Sequence, residues 1–61
     1  MLARLREARL KGGLTQAQVA HQLGRPVSFV SKCELGERRL DPIDLLHFAR
    51  IYGVSIMDLL P

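Results

Sequence analysis

A chain of 61 residues makes one domain, and a domain this small buries only about 60% of the surface its unfolded form exposes, so marginal stability is expected. The single cysteine, Cys33, excludes a disulfide framework, and His21 and His47 lack the cysteine partners and spacing of a metal site. The net charge of +3 and the pI near 9.8 favour a polyanionic partner, provided the basic residues gather on one face.

Glycine punctuates the chain at Gly12-Gly13, Gly24, Gly36 and Gly53, each time after an amphipathic stretch. That is the pattern of left-handed residues following helices. β-Branched residues are sparse, so the spacing predicts an all-α domain over 1–61 with five short helices, at about 2–11, 16–23, 27–35, 42–52 and 56–60.

In the first helix Leu2, Leu5 and Arg9 share a face, with Arg4, Glu7 and Lys11 largely outside. The second follows Thr15, whose pairing with Gln18 makes a capping box, and turns Val19, Ala20 and Leu23 inward. The third is expected to start near Pro26, as proline suits a first helical turn, and to end before Gly36. Phe29, Val30 and Cys33 give it an apolar side, with Cys33 read as a half-buried hydrophobe. A redox-sensing thiol, its pKa lowered by Lys32, is the alternative.

The fourth helix is capped by Asp41, takes Pro42 at its first position and carries the stripe Leu45, Phe48, Ala49 and Tyr52. The fifth follows Ser55, with Asp58 completing a second box and Ile56, Leu59 and Leu60 as its apolar residues. No linker, internal repeat or low-complexity segment separates these elements. The basic N-terminus, Met1 to Lys11, lacks the continuous apolar core of a signal peptide, and no run approaches the roughly 20 apolar residues of a membrane span. A cytoplasmic location is therefore expected, where a lone free thiol is ordinary.

The second and third helices with their glycine turn form a helix-turn-helix. Ala20 would sit where the two helices approach closely, and Gly24 would supply a turn that a side chain resists. Around this unit stand Leu14-Thr15-Gln16, Val19-Ala20, Leu23-Gly24 and Ser31-Lys32-x-Glu34-x-Gly36-Glu37-Arg38. Further on comes Leu45-x-x-Phe48-Ala49-x-x-Tyr52-Gly53-Val54. In order and spacing these resemble the Xre-type helix-turn-helix family, the group of the lambda repressor and its Cro antagonist, across almost the whole chain. The resemblance implies a compact five-helix lambda-repressor-like domain, double-stranded operator DNA as ligand, and frequent homodimerisation.

The resemblance also implies roles. Gln16 would contact a DNA phosphate and brace the recognition helix. Val27, Ser28, Ser31 and Lys32 would face base edges, with Lys32 able to donate to guanine. Val27 departs from the family, which commonly has glutamine there. Apolar or shape readout then replaces hydrogen bonding, unless Val27 only staples the helix to its neighbours. Arg38 and Arg39, in the loop after Gly36, suit the phosphate backbone, although adjacent residues rarely point the same way. Arg25, before the recognition helix, is either a further phosphate contact or a solvated turn residue. Arg9 and Glu34 match a partly buried family salt bridge that orients the recognition helix.

Ile51, Ile56, Met57 and Leu60 are candidates for a dimer surface, or else close this chain's own core. The expectation is a repressor-like transcriptional regulator binding half-sites about 34–36 Å apart. A protein-interaction module or an antitoxin on the same fold is the competing reading. Nothing points to an effector pocket, a cofactor or an enzyme: paired carboxylates, nucleophile–base spacing and a phosphate-cradling loop are all missing.

Overall fold

The computed structural model describes residues 3–60. Four α-helices follow one another: α1 (Ala3–Lys11), α2 (Gln16–Leu23), α3 (Val27–Leu35) and α4 (Pro42–Tyr52). A single 3-10 turn at Ile56–Leu59 closes the described chain. Among the described residues there is no strand, and no helix is long and apolar enough to cross a membrane. Leu2, expected on the inner face of the first helix, lies outside the described residues.

The helix starts are written in short side chains. The Thr15 hydroxyl accepts from the Gln18 N–H at 3.1 Å, and the Gln18 side chain accepts in return from the Thr15 N–H at 2.8 Å. These two bonds satisfy amides that α2 itself leaves open. Asp41 accepts from the Asp44 N–H at 2.8 Å, and Pro42, which has no amide hydrogen to satisfy, follows it. Pro26 stands just before α3 in extended backbone rather than inside its first turn, and caps nothing with its side chain.

The expected fifth helix is the 3-10 turn. Ser55 and Asp58 do form their reciprocal box, but Leu60 is already extended. With the chain extended again at Leu60 the segment is short, and its bonds reach three residues back: the Asp58 N–H donates to the Ser55 carbonyl at 2.9 Å and the Leu60 N–H to the Met57 carbonyl at 3.4 Å.

Between α2 and α3 the chain reverses at Gly24, which takes φ +67. Its N–H donates to the His21 carbonyl at 3.1 Å, and the Arg25 N–H donates to the Ala20 carbonyl at 3.0 Å. This paired closure ends α2 and redirects the chain within one residue. Ala20, 2% exposed, then lets α2 and α3 pack closely.

The core lies between all the elements. Phe48, Leu5, Leu59, Val19, Val30 and Cys33 are its fully buried side chains. α1 touches α3, α4 and the terminal turn, and α4 also supports α2. Cys33 is 0% exposed, not half-buried as its type and position suggested. Burial pushes its thiol up to about 11, against the weaker opposing pull of Arg38 and Arg25. The thiolate a redox sensor requires is thereby disfavoured.

Candidate nucleic-acid interface

α3 divides its residues cleanly between two sides. Phe29, Val30, Cys33 and Glu34 are buried. Val27, Ser28 and Lys32 are exposed, and Ser31 is half-buried. Residues four apart lie above one another on a helix, so Val27 stacks with Ser31 and Ser28 with Lys32. The outward side is thus a compact two-by-two patch of the four candidate base readers.

The cations flank this patch. Arg25 is exposed just ahead of α3, and Arg38 and Arg39 are exposed just after it. The loop that carries Arg38 is tied back onto the helix. Gly36 takes φ +77, and the Lys32 carbonyl then accepts from the Glu37 N–H at 2.9 Å and the Arg38 N–H at 3.3 Å. The backbone of Arg38 is therefore fixed to the same turn that bears Lys32. Glu37 is exposed between them.

Behind the patch one carboxylate joins three helices. Glu34 Oε2 accepts from Arg9 Nε at 2.6 Å, and Oε1 accepts from Arg9 Nη2 at 3.1 Å. Gln16 Nε2 donates to the same Oε1 at 3.0 Å. Arg9 Nη1 donates to the Leu14 carbonyl at 3.0 Å, reaching the segment that leads into α2. The forked pair is 8% exposed at Arg9 and 4% at Glu34. The hydrogen bond to Glu34 outweighs desolvation and holds the guanidinium protonated more firmly than usual.

Gln16 thus braces α3 directly from the first turn of α2. Its side-chain nitrogen has two N–H groups, and only one is used on Glu34. Tyr52 lies buried nearby, its hydroxyl without a hydrogen-bond partner among the described residues. Desolvation, reinforced by Glu34, raises its pKa and keeps the phenol neutral.

One residue of this region has a second environment that the sequence did not signal. Phe29 reads as a core aromatic, and it is one, stacked on Phe48 with ring centroids 6.3 Å apart. Yet the guanidinium carbons of Arg25 and Arg38 each lie 4.7 Å from its ring centroid. Arg25 is four residues before Phe29 in the chain but outside the helix, so helical spacing gave no signal, and Arg38 arrives through the loop.

A helix-turn-helix domain family model matches residues 1–60 of the chain. A solved structure, an XRE-family like protein from Pseudomonas syringae pv. tomato str. DC3000, is similar at 50% sequence identity, with a TM-score of 0.82. That similarity covers 95% of this chain and 72% of the other. This chain belongs to the Xre-type helix-turn-helix family. No curated protein matches it. In this Xre-type domain α2 and α3 are the helix-turn-helix pair, and Arg9 of α1 is bonded both to α3 and to the segment that leads into α2.

The four candidates for a dimer surface are not alike. Ile51 and Ile56 are half-buried and pack against the domain's own core. Met57 is 68% exposed and Leu60 36% exposed. His21 and His47 are exposed.

Proposed function

We propose that this Xre-type domain is a sequence-specific double-stranded DNA-binding protein, a repressor-like transcriptional regulator with α3 in the major groove. The observation that carries the reading is the outward patch of Val27, Ser28, Ser31 and Lys32, flanked by Arg25, Arg38 and Arg39. Among the described residues none of these four cations forms a salt bridge; the one salt bridge lies behind the helix, at Arg9 and Glu34. Cations left open on both sides of a small polar helix face suit a polyanion lying across it.

In this reading Lys32 donates to guanine O6 or N7, and Ser28 and Ser31 contact base edges or adjacent phosphate. Val27, exposed at its position, packs on a thymine methyl. Arg25, Arg38 and Arg39 grip the backbone. The free N–H of Gln16 reaches a phosphate while its partner N–H holds Glu34. The exposed Met57 and Leu60 supply the apolar part of a homodimer contact, and Ile51 and Ile56 support it from within. A two-fold dimer would read a palindrome with half-sites about 34–36 Å apart.

Selection from a random duplex library at near-physiological salt tests this reading, with the dimer checked by sedimentation of the protein alone and on DNA. The expected result is a palindromic motif whose information collapses in Lys32→Ala at one base pair of each half-site. Retention of DNA with no enriched motif would leave phosphate binding without sequence reading. No retention at low salt would defeat the reading and favour a protein-interaction or antitoxin role for the same surface.

A further inference from the structure

The two arginines that bracket α3 meet on one aromatic ring. Arg25 stands before the helix and Arg38 after it, yet both guanidinium carbons lie 4.7 Å from the Phe29 centroid. They are therefore no farther apart than about twice that distance. Among the described residues neither forms a salt bridge. Two like charges are thus held close together without an ion-pair partner for either among the described residues, an arrangement that favours an incoming anion.

The ring that holds them is itself immobilised. Phe29 is 7% exposed and lies parallel to Phe48 within 2°. Phe48 is fully buried and touches Tyr52, with ring centroids 5.8 Å apart. The aromatic platform is part of the core, while the guanidinium groups on it are at the surface. A guanidinium seated over a ring turns its charge to the π-face while its N–H edges can still reach outward, and those edges are what bind phosphate in two-pronged fashion.

We infer that Phe29 is a positioning residue that sets Arg25 and Arg38 as a single preformed clamp for the DNA phosphate backbone beside the recognition helix. The inference rests on the DNA-binding reading above and adds to it a division of labour. The arginines supply the charge, and the ring removes the cost of ordering two long side chains when the phosphate binds. Lysine would not serve, because it offers a point charge without a flat face to stack.

The test is fluorescence anisotropy of a labelled duplex with the whole chain, titrated at several salt concentrations. The proteins are wild type, F29Y, F29L, R25Q/R38Q and the triple variant F29L/R25Q/R38Q. F29Y keeps the ring and is expected to bind within about twofold of wild type. F29L keeps both charges but loses the platform. It is expected to bind about fivefold more weakly with an unchanged salt slope. R25Q/R38Q is expected to bind more weakly with a slope shallower by about two. On that background F29L is expected to add nothing.

An equal loss from F29L on both backgrounds would overturn the inference, because the ring would then act only as core filling. A wild-type slope and affinity in R25Q/R38Q would overturn the phosphate role of the arginines and the clamp with it. Absence of binding by wild type would defeat the DNA reading itself. If F29L does not fold, the wild-type protein still decides. The δ-methylene protons of Arg25 and Arg38 must then show upfield ring-current shifts relative to those of Arg39 and Arg50. Normal shifts would overturn the clamp.

Discussion

Glu34 is the side chain on which most depends. Its two oxygens accept three hydrogen bonds, two from Arg9 and one from Gln16, and both members of the ion pair are buried. Removing one partner of a buried ion pair leaves the other charged and unsolvated, at a cost of about 3–5 kcal/mol. A domain of this size has only about 0.05–0.15 kcal/mol of stability per residue, so Glu34→Ala is expected to be largely unfolded at 37 °C. Thermal denaturation followed by circular dichroism measures this, and an unchanged Tm would refute the assignment. Replacing both partners together, Arg9→Met with Glu34→Leu, is expected to recover most of the loss, because no orphan charge remains. That contrast separates the penalty of an unpaired arginine from the worth of the pair.

At the scale of the element, the reversal between α2 and α3 rests on one residue. Gly24 takes φ +67, and a Cβ built there would meet no atom within 4 Å. The need for glycine is thus a backbone need alone, worth about 1–2 kcal/mol against alanine. Gly24→Ala is expected to lower the Tm by roughly 4–8 °C per kcal/mol, and Gly24→Asn by less, since asparagine tolerates this conformation. Urea denaturation of the two variants checks both the sign and the order. Such local chemistry is why the helices could be read from the sequence at all. Thr15, Gln18, Asp41 and Ser55 act on amides within three residues of themselves, and Pro42 simply has no amide hydrogen to satisfy. The last element was misjudged in type because a cap signals that a helix begins and not how far it runs. The four outward residues of α3 could be placed from the family spacing, and Glu34 with Arg9 likewise. The seating of Arg25 and Arg38 over the Phe29 ring could not, because it depends on the path of a loop and no local periodicity records that.

For the whole molecule the core is small enough that two of its ionisable groups matter to every element. The Cys33 thiol is raised from its ordinary 9.0 to about 11, and the Tyr52 phenol is raised above its ordinary 10.0, both chiefly by burial. In each case the folded state keeps a proton that the unfolded chain has already released. Stability is therefore fully present below pH 9 and falls as the pH rises towards 11 and beyond. The part due to Cys33 is on the order of 2 kcal/mol by pH 11. Urea denaturation between pH 7 and 11 is expected to show the midpoint falling with pH. Cys33→Ala is expected to be less stable at neutral pH but to have a flatter profile between 9 and 11. A flat wild-type profile would show that the thiol is more hydrated than its burial implies.

The way α3 sorts its residues bears on how such a protein changes its target over generations. The positions that would read DNA carry almost none of the packing, and the positions that carry the packing are buried. A lineage can then exchange the exposed Val27, Ser28 and Lys32 with little threat to folding, and on the proposed reading each exchange would alter the operator. Ser31 is the partial exception. It is half-buried and lines the groove of about 350 Å³ beside Arg9, Gln16 and Glu34, so a larger side chain there would enter that groove and lie against the bracing network. If the proposed reading holds, drift in specificity would run first through the three exposed letters and reach the fourth only together with the groove behind it.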